Sequence, residues 1–109
     1  MKLCITANEK SLESALDPRF GRAAFFIIYN LEDDSFQAFD NSGINASGGA
    51  GVKAGQFIID RGVDILITGD VGPNAAEVIK KAGIKVVTQD AGIVSGIVQK
   101  IKNNTIEVV

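Results

Sequence analysis

Three stretches of this chain carry the residue types and spacing that could bind an anion. The first is Thr68-Gly69-Asp70-Val71-Gly72-Pro73-Asn74, which follows the apolar run Ile65-Leu66-Ile67. Gly69 and Gly72 permit positive φ and close approach of backbone to a ligand. Thr68, Asp70 and Asn74 are types that cap loops and helix starts. The loop's backbone N–H groups and the helix N-terminus after it suit a negative charge. The stretch has no lysine at the Walker position, which argues against a nucleotide P-loop. A plain strand-to-helix turn is the competing reading.

The second stretch is Asn45-Ala46-Ser47-Gly48-Gly49-Ala50-Gly51-Val52-Lys53. Gly48, Gly49 and Gly51 precede a helix, with Lys53 in its first turn. Such a cluster can form an anion nest, or simply a glycine loop; it is not a G-x-G-x-x-G dinucleotide fingerprint. The third is Asp17-Pro18-Arg19-Phe20-Gly21-Arg22. Arg19 and Arg22 suit bidentate capture of carboxylate or phosphate-like groups. Alternatively, Asp17 pairs with an arginine and Phe20 plugs the core. Cys4 lies between Leu3 and Ile5, where a free cysteine acts as a small hydrophobe; as a thiolate it could ligate one iron of a cluster.

What is missing narrows the chemistry. The chain has no histidine, which removes the commonest general base and metal ligand. A two-metal nuclease needs several acids, one of them on the first strand; that strand carries Lys2 and Thr6. Net charge is −2 with a pI near 5.0, which argues against a general nucleic-acid binder. No apolar run approaches the ~20 residues of a membrane span, and Met1-Lys2-Leu3-Cys4-Ile5-Thr6 turns polar too soon for a signal peptide. One cysteine excludes an internal disulfide, so a cytoplasmic location is expected.

These loops need elements to hold them. Residues 1–109 read as one domain. Leu3 to Ile5 open a first strand, and a long polar connection covers residues 7–22. Ala24–Tyr29 reads as a buried strand, Glu32-Asp33-Asp34 as a turn, and Ser35–Asp40 as an edge strand in an antiparallel hairpin. A helix is expected from Gly51 to Arg61, stopped by Gly62. Ile65-Leu66-Ile67 is a central parallel strand. Ala75, Val78, Ile79 and Ala82 mark one face of a helix that begins near Pro73. Ile84–Thr88 is a strand, Val94, Ile97, Val98 and Ile101 mark a third helix, and Ile106–Val109 a last edge strand.

The order β-β-β-α-β-α-β-α-β predicts an α/β, three-layer fold. A mixed five- or six-stranded sheet of order 3-2-1-4-5, with helices on both faces, is the ribonuclease H-like arrangement. The loops after strands one and four then converge on one rim.

Three motifs together resemble the dinitrogenase iron–molybdenum cofactor biosynthesis family. They are Asp17-Pro18-Arg19-Phe20-Gly21-Arg22-Ala23, the Gly49-Ala50-Gly51 helix start, and Gly62-Val63-Asp64 through Ile67-Thr68-Gly69 to Gly72-Pro73-Asn74-Ala75. Ala82-Gly83-Ile84-Lys85-Val86 continues the similarity along nearly the whole chain. The resemblance implies a ribonuclease H-like domain that carries an iron–sulfur cofactor precursor or the iron–molybdenum cofactor and hands it to an assembly or acceptor protein. Cofactor-handling members often place a histidine just before Gly-Ala-Gly; here Gly48 and Gly49 stand there.

The expected function is non-enzymatic binding of an anionic metal–sulfur cofactor on the rim of residues 17–22, 47–53 and 68–74. Arg19, Arg22, Gly48, Gly49, Gly51, Lys53, Thr68, Gly69, Asp70, Gly72 and Asn74 are the candidate contacts, with Cys4 as a candidate metal ligand. The alternatives are a metal-independent small-anion or regulatory domain and, with least support, a hydrolase using Asp70. No nucleic-acid or membrane partner is expected, and the sequence leaves the oligomeric state open.

Overall fold

The computed structural model describes residues 1–41 and 49–103. Its elements are β1 (Lys2–Ala7), β2 (Phe25–Asn30), β3 (Ser35–Asp40), α1 (Ala50–Asp60), β4 (Ile65–Thr68), α2 (Pro73–Lys81), β5 (Lys85–Thr88) and α3 (Val94–Lys102). They form a five-stranded mixed sheet of order β3-β2-β1-β4-β5, the order expected from the sequence. Asn45 to Gly48 and the expected strand Ile106–Val109 lie outside the described residues.

Alternation along β1 explains the layers. Leu3, Ile5 and Ala7 enter one core with Ile27, Ile67 and the α3 residues Val94, Ile97, Val98 and Ile101. Cys4 faces the other core, with Phe26, Leu66, Ala54 and Ile58 of α1, and Ala75 and Ile79 of α2. A strand with period 2 thus serves two faces, and helices cover both. β1 runs antiparallel to β2 and parallel to β4, pairing Cys4 with Ile28 on one side and Leu66 on the other. The boundary between β1 and β4 is where the chain's winding direction reverses, and open α/β sheets bind ligands at the carboxyl ends of strands beside such a boundary.

The sequence reading needs two adjustments. β1 extends two residues past Ile5, because Thr6 and Ala7 are fully buried and continue the pairing. The connection over residues 7–22 is not a free polar loop. It is pinned by bridges Ala7–Leu16, Ala15–Ile93 and Arg19–Asp70. Polar composition reported exposure there, but not the backbone pairing. Among the described residues no helix is long and apolar enough to cross a membrane.

Candidate functional site

The site is built from the loop after β1, which folds back over the ends of β1 and β4. The buried Thr6 hydroxyl donates to the Asp17 carbonyl oxygen at 2.6 Å and shares a hydrogen bond with the Thr68 hydroxyl at 2.8 Å. The Asp17 N–H returns to the Thr6 carbonyl at 2.9 Å. Further on, the Asp70 N–H donates to the Pro18 carbonyl at 2.7 Å and the Phe20 N–H to the Asp70 carbonyl at 3.2 Å. Gly69 makes this possible: a Cβ there would stand 2.6 Å from Pro18 backbone atoms.

Asp17 organises the turn from inside. Its carboxylate accepts the Arg19 N–H (3.0 Å), both Arg19 Nε and Nη2 (3.1 Å each), and the Ala24 N–H (3.3 Å). Burial pushes this carboxyl up, but the hydrogen bonds from Arg19 and Ala24 outweigh burial and hold it below its ordinary value. Phe20, 2% exposed, drops into the core beside Phe26. The Asn41 side-chain amide donates to the carbonyls of Gly21 and Ala23, each at 2.9 Å. The loop is therefore fixed on both sides of Gly21 and Arg22.

What these fixed residues face is the start of two helices. The residue before α1 is Gly49, at φ 71°, and the residue before α2 is Gly72, extended at φ −63°, ψ 159°. Neither has a side chain with which to cap its helix, and neither helix has an acid in its first turn. The first amides of a helix have no intrahelical acceptor. In α1 the repeating bonds begin at the Lys53 N–H, and in α2 at the Ala76 N–H. That leaves the amides of Ala50, Gly51 and Val52, and of Asn74 and Ala75, outside the repeat. The α3 start is different: loop carbonyls of Ser14 and Leu12 accept the Val94 and Ser95 N–H groups at 2.9 and 2.8 Å.

An open cleft of about 320 Å³ lies where the two glycine-capped starts meet the loop. Its described lining is Phe20, Gly21, Arg22, Gly49, Ala50, Gly51, Val52, Gly72, Pro73, Asn74 and Ala75. The polar side chains in this lining are those of Arg22 and Asn74, beside the backbone of the two helix starts. Among the described residues no group of three or more His, Cys, Asp or Glu side chains is placed to hold a metal ion. Such a lining can hold a negatively charged surface by hydrogen bonds and charge; its described residues include no His, Cys, Asp or Glu.

Of the candidate contacts, Arg22, Gly49, Gly51, Gly72 and Asn74 line the cleft. Arg19, Lys53, Thr68, Gly69 and Asp70 are not among the described lining residues. Arg19 is committed to Asp17, with its side chain 64% exposed. Thr68 is fully buried on Thr6. Gly69 and Asp70 hold the loop through backbone contacts. Gly48 lies outside the described residues. Cys4 requires a correction: it is fully buried between Ile28 and Leu66, and burial pushes its thiol well above the ordinary range. A thiol in that environment resists forming the thiolate that a metal needs. Gly21, Ala50 and Val52 fall within the expected rim without being named as contacts, and Ala75 lies just outside it.

A model of the dinitrogenase iron–molybdenum cofactor family matches residues 1–104. An uncharacterised protein of Methanocaldococcus jannaschii is 32% identical over 74 residues, 65% of this chain; the match spans 63% of that protein, less than two thirds of its length. The apo form of the orange protein from Desulfovibrio gigas superposes with a TM-score of 0.93 at 34% identity, covering 99% of this chain and 92% of that one. A NifB-like protein from Thermotoga superposes with a TM-score of 0.85 at 34% identity, covering 98% and 91%.

Proposed function

Because the chain belongs to the dinitrogenase iron–molybdenum cofactor family, we propose that it is a non-enzymatic binding domain for an anionic iron–sulfur or iron–molybdenum cofactor precursor. The cargo sits in the cleft at the starts of α1 and α2 and passes to a cofactor-assembly or acceptor protein. One observation carries this reading: two helix N-termini, both begun by glycine and both without an acidic first turn, open on the same cleft. Each helix start carries a partial positive charge of roughly half a unit. Two of them side by side repel, and an anion between them relieves that repulsion. The cargo brings its own sulfide ligands, so the protein need not supply a cysteine or histidine. Arg22 and the first-turn amides hold its negative periphery, while Arg19 and Asp17 keep the loop in shape. The similar orange protein is described in an apo form, in keeping with a domain that exists apart from its ligand.

The lack of His, Cys, Asp and Glu in the described lining also favours a second reading, a domain that binds a small metal-free anion in the same place. Anaerobic titration with an isolated iron–sulfur cofactor precursor, then gel filtration with iron and sulfide analysis, separates the two. Stoichiometric metal travelling with the protein, and lost in Arg22→Gln, supports a carrier. Full retention after both Arg19→Gln and Arg22→Gln would sink the arginine and amide cradle. No retention where a histidine-containing relative retains the cargo moves the assignment to the metal-free reading.

A further inference from the structure

α1 and α2 pack more tightly at the cleft than deeper in the molecule. A Cβ built on Gly51 would lie 3.0 Å from the Ala75 Cβ, tighter than side-chain carbons normally tolerate. One turn further on, a Cβ on Gly55 would meet Ile79 and Val78 at an ordinary 3.6 and 3.7 Å. The clearance between the helices is thus smaller at Gly51 than at Gly55, on the side of their positive ends, where like dipoles oppose approach. The loop presses on the same point: a Cβ on Gly21 would stand 2.7 Å from the Gly51 nitrogen and 2.9 Å from its Cα. Gly21 and Gly51 are only half-buried, so a densely packed core does not require this contact. Loop and α1 meet backbone on backbone at Gly21 and Gly51, and α1 meets α2 through the Ala75 methyl.

We propose that Gly51, seated by Gly21, is a positioning residue: it sets the spacing of the two helix starts and thereby the size of anion that both can contact at once. This rests on the reading above that the cleft binds an anion. A methyl at position 51 forces α1 and α2 apart by a few tenths of an ångström. Amides from both helices then no longer converge on a small anion, whereas a larger one still spans them.

The test uses tetrahedral dianions of equal charge and rising radius: sulfate, molybdate and tetrathiotungstate. Each is titrated calorimetrically against the full chain and against Gly51→Ala, Gly21→Ala and Gly55→Ala, with a melting curve for every variant. Gly55 lies outside the cleft and has room for a methyl, so it controls for helix propensity. The expected result is a shift in preference toward tetrathiotungstate over sulfate of about tenfold in Gly51→Ala, the scale of one methyl group in a fitted pocket. Gly55→Ala should leave the preference unchanged. Gly21→Ala, whose clash is with backbone, should shift it in the same direction. An unchanged preference in Gly51→Ala and Gly21→Ala, with lower melting temperatures, would make the contact mere packing and overturn the inference while leaving anion binding intact. Failure of the unaltered chain to bind any of the three anions, or the cofactor precursor, would remove the binding reading and this inference with it.

Discussion

Asp17 shows how much one side chain can carry outside the cleft itself. It is 1% exposed and accepts four hydrogen bonds from Arg19 and Ala24. The ion pair with the exposed Arg19 guanidinium adds little alone; the backbone donors make the carboxylate structural. Asp17→Asn should destabilise the fold by about 1–3 kcal/mol near neutrality, the usual cost of disturbing hydrogen bonds to a charged group. The sign with pH follows from the lowered carboxyl. A group held below its unfolded value contributes in full above that unfolded value and loses the contribution as pH falls through the folded one. Melting curves of the two proteins should therefore diverge near neutral pH and converge in acid below the ordinary carboxylate range. A difference unchanged in acid would remove the carboxylate from the account. Cys4 gives the opposite case, a titratable group with no exposed face. Its thiol should react negligibly with iodoacetamide in the native protein and fully in denaturant, whereas a ligand available to cargo would be alkylated in both.

At the scale of elements, the proposed anion site implies that the helix starts exchange stability for binding. Gly72 has the extended backbone of an ordinary N-cap, and a Cβ there would meet nothing within 4 Å. Gly72→Asp would accept the Asn74 or Ala75 amide and put a negative charge on the α2 start. Caps of this kind contribute about 1 kcal/mol, so the melting temperature should rise by several degrees. The same charge occupies the donors an anion needs, so affinity for cofactor precursor or tetrathiotungstate should fall together with the gain in stability. A variant that is both more stable and equally tight would detach α2 from the site. The elements themselves were legible in the sequence. The runs Ala24–Tyr29 and Ile65–Ile67, the spacing of Val94, Ile97, Val98 and Ile101, and Gly62 and Gly83 after the first two helices gave strands, helices and sheet order. Within the site, glycine clusters marked where backbone would approach a ligand, and Arg22 and Asn74 followed. What stayed hidden depends on distances across the chain. Nothing local says that Arg19 pairs with a carboxylate two residues away and stays out of the described lining, whereas Arg22 is part of it. Nor does local sequence say that Thr68 turns inward to a threonine on β1, or that Gly21 touches Gly51. Ala50, Val52 and Ala75 contribute mainly by position, which residue type does not encode.

For the whole molecule, the decisive fact is that one sheet end gathers positive backbone ends in a chain whose net charge is −2. The two cores sit below that end on either side of β1, so the cleft borders rigid structure and can remain formed without cargo. An anion that binds only the folded state then adds stability by mass action, about 2.7 kcal/mol at a hundredfold excess over Kd. For a chain of this length that is a melting-temperature rise of roughly 10 °C. Because the cleft is open, the interaction must pass through salt solution. Its reach shrinks from about 10 Å at 0.1 M to about 3 Å at 1 M ionic strength. The ligand-induced rise should therefore shrink markedly in about 1 M sodium chloride, while the melting temperature of the ligand-free protein, which owes little to surface ion pairs, moves far less. Differential scanning calorimetry of both forms across a chloride series makes the comparison. A rise that persists undiminished at high salt would mean that the protein bonds the metal directly, and the cradle of amides and Arg22 would have to give way to a ligand outside the described residues.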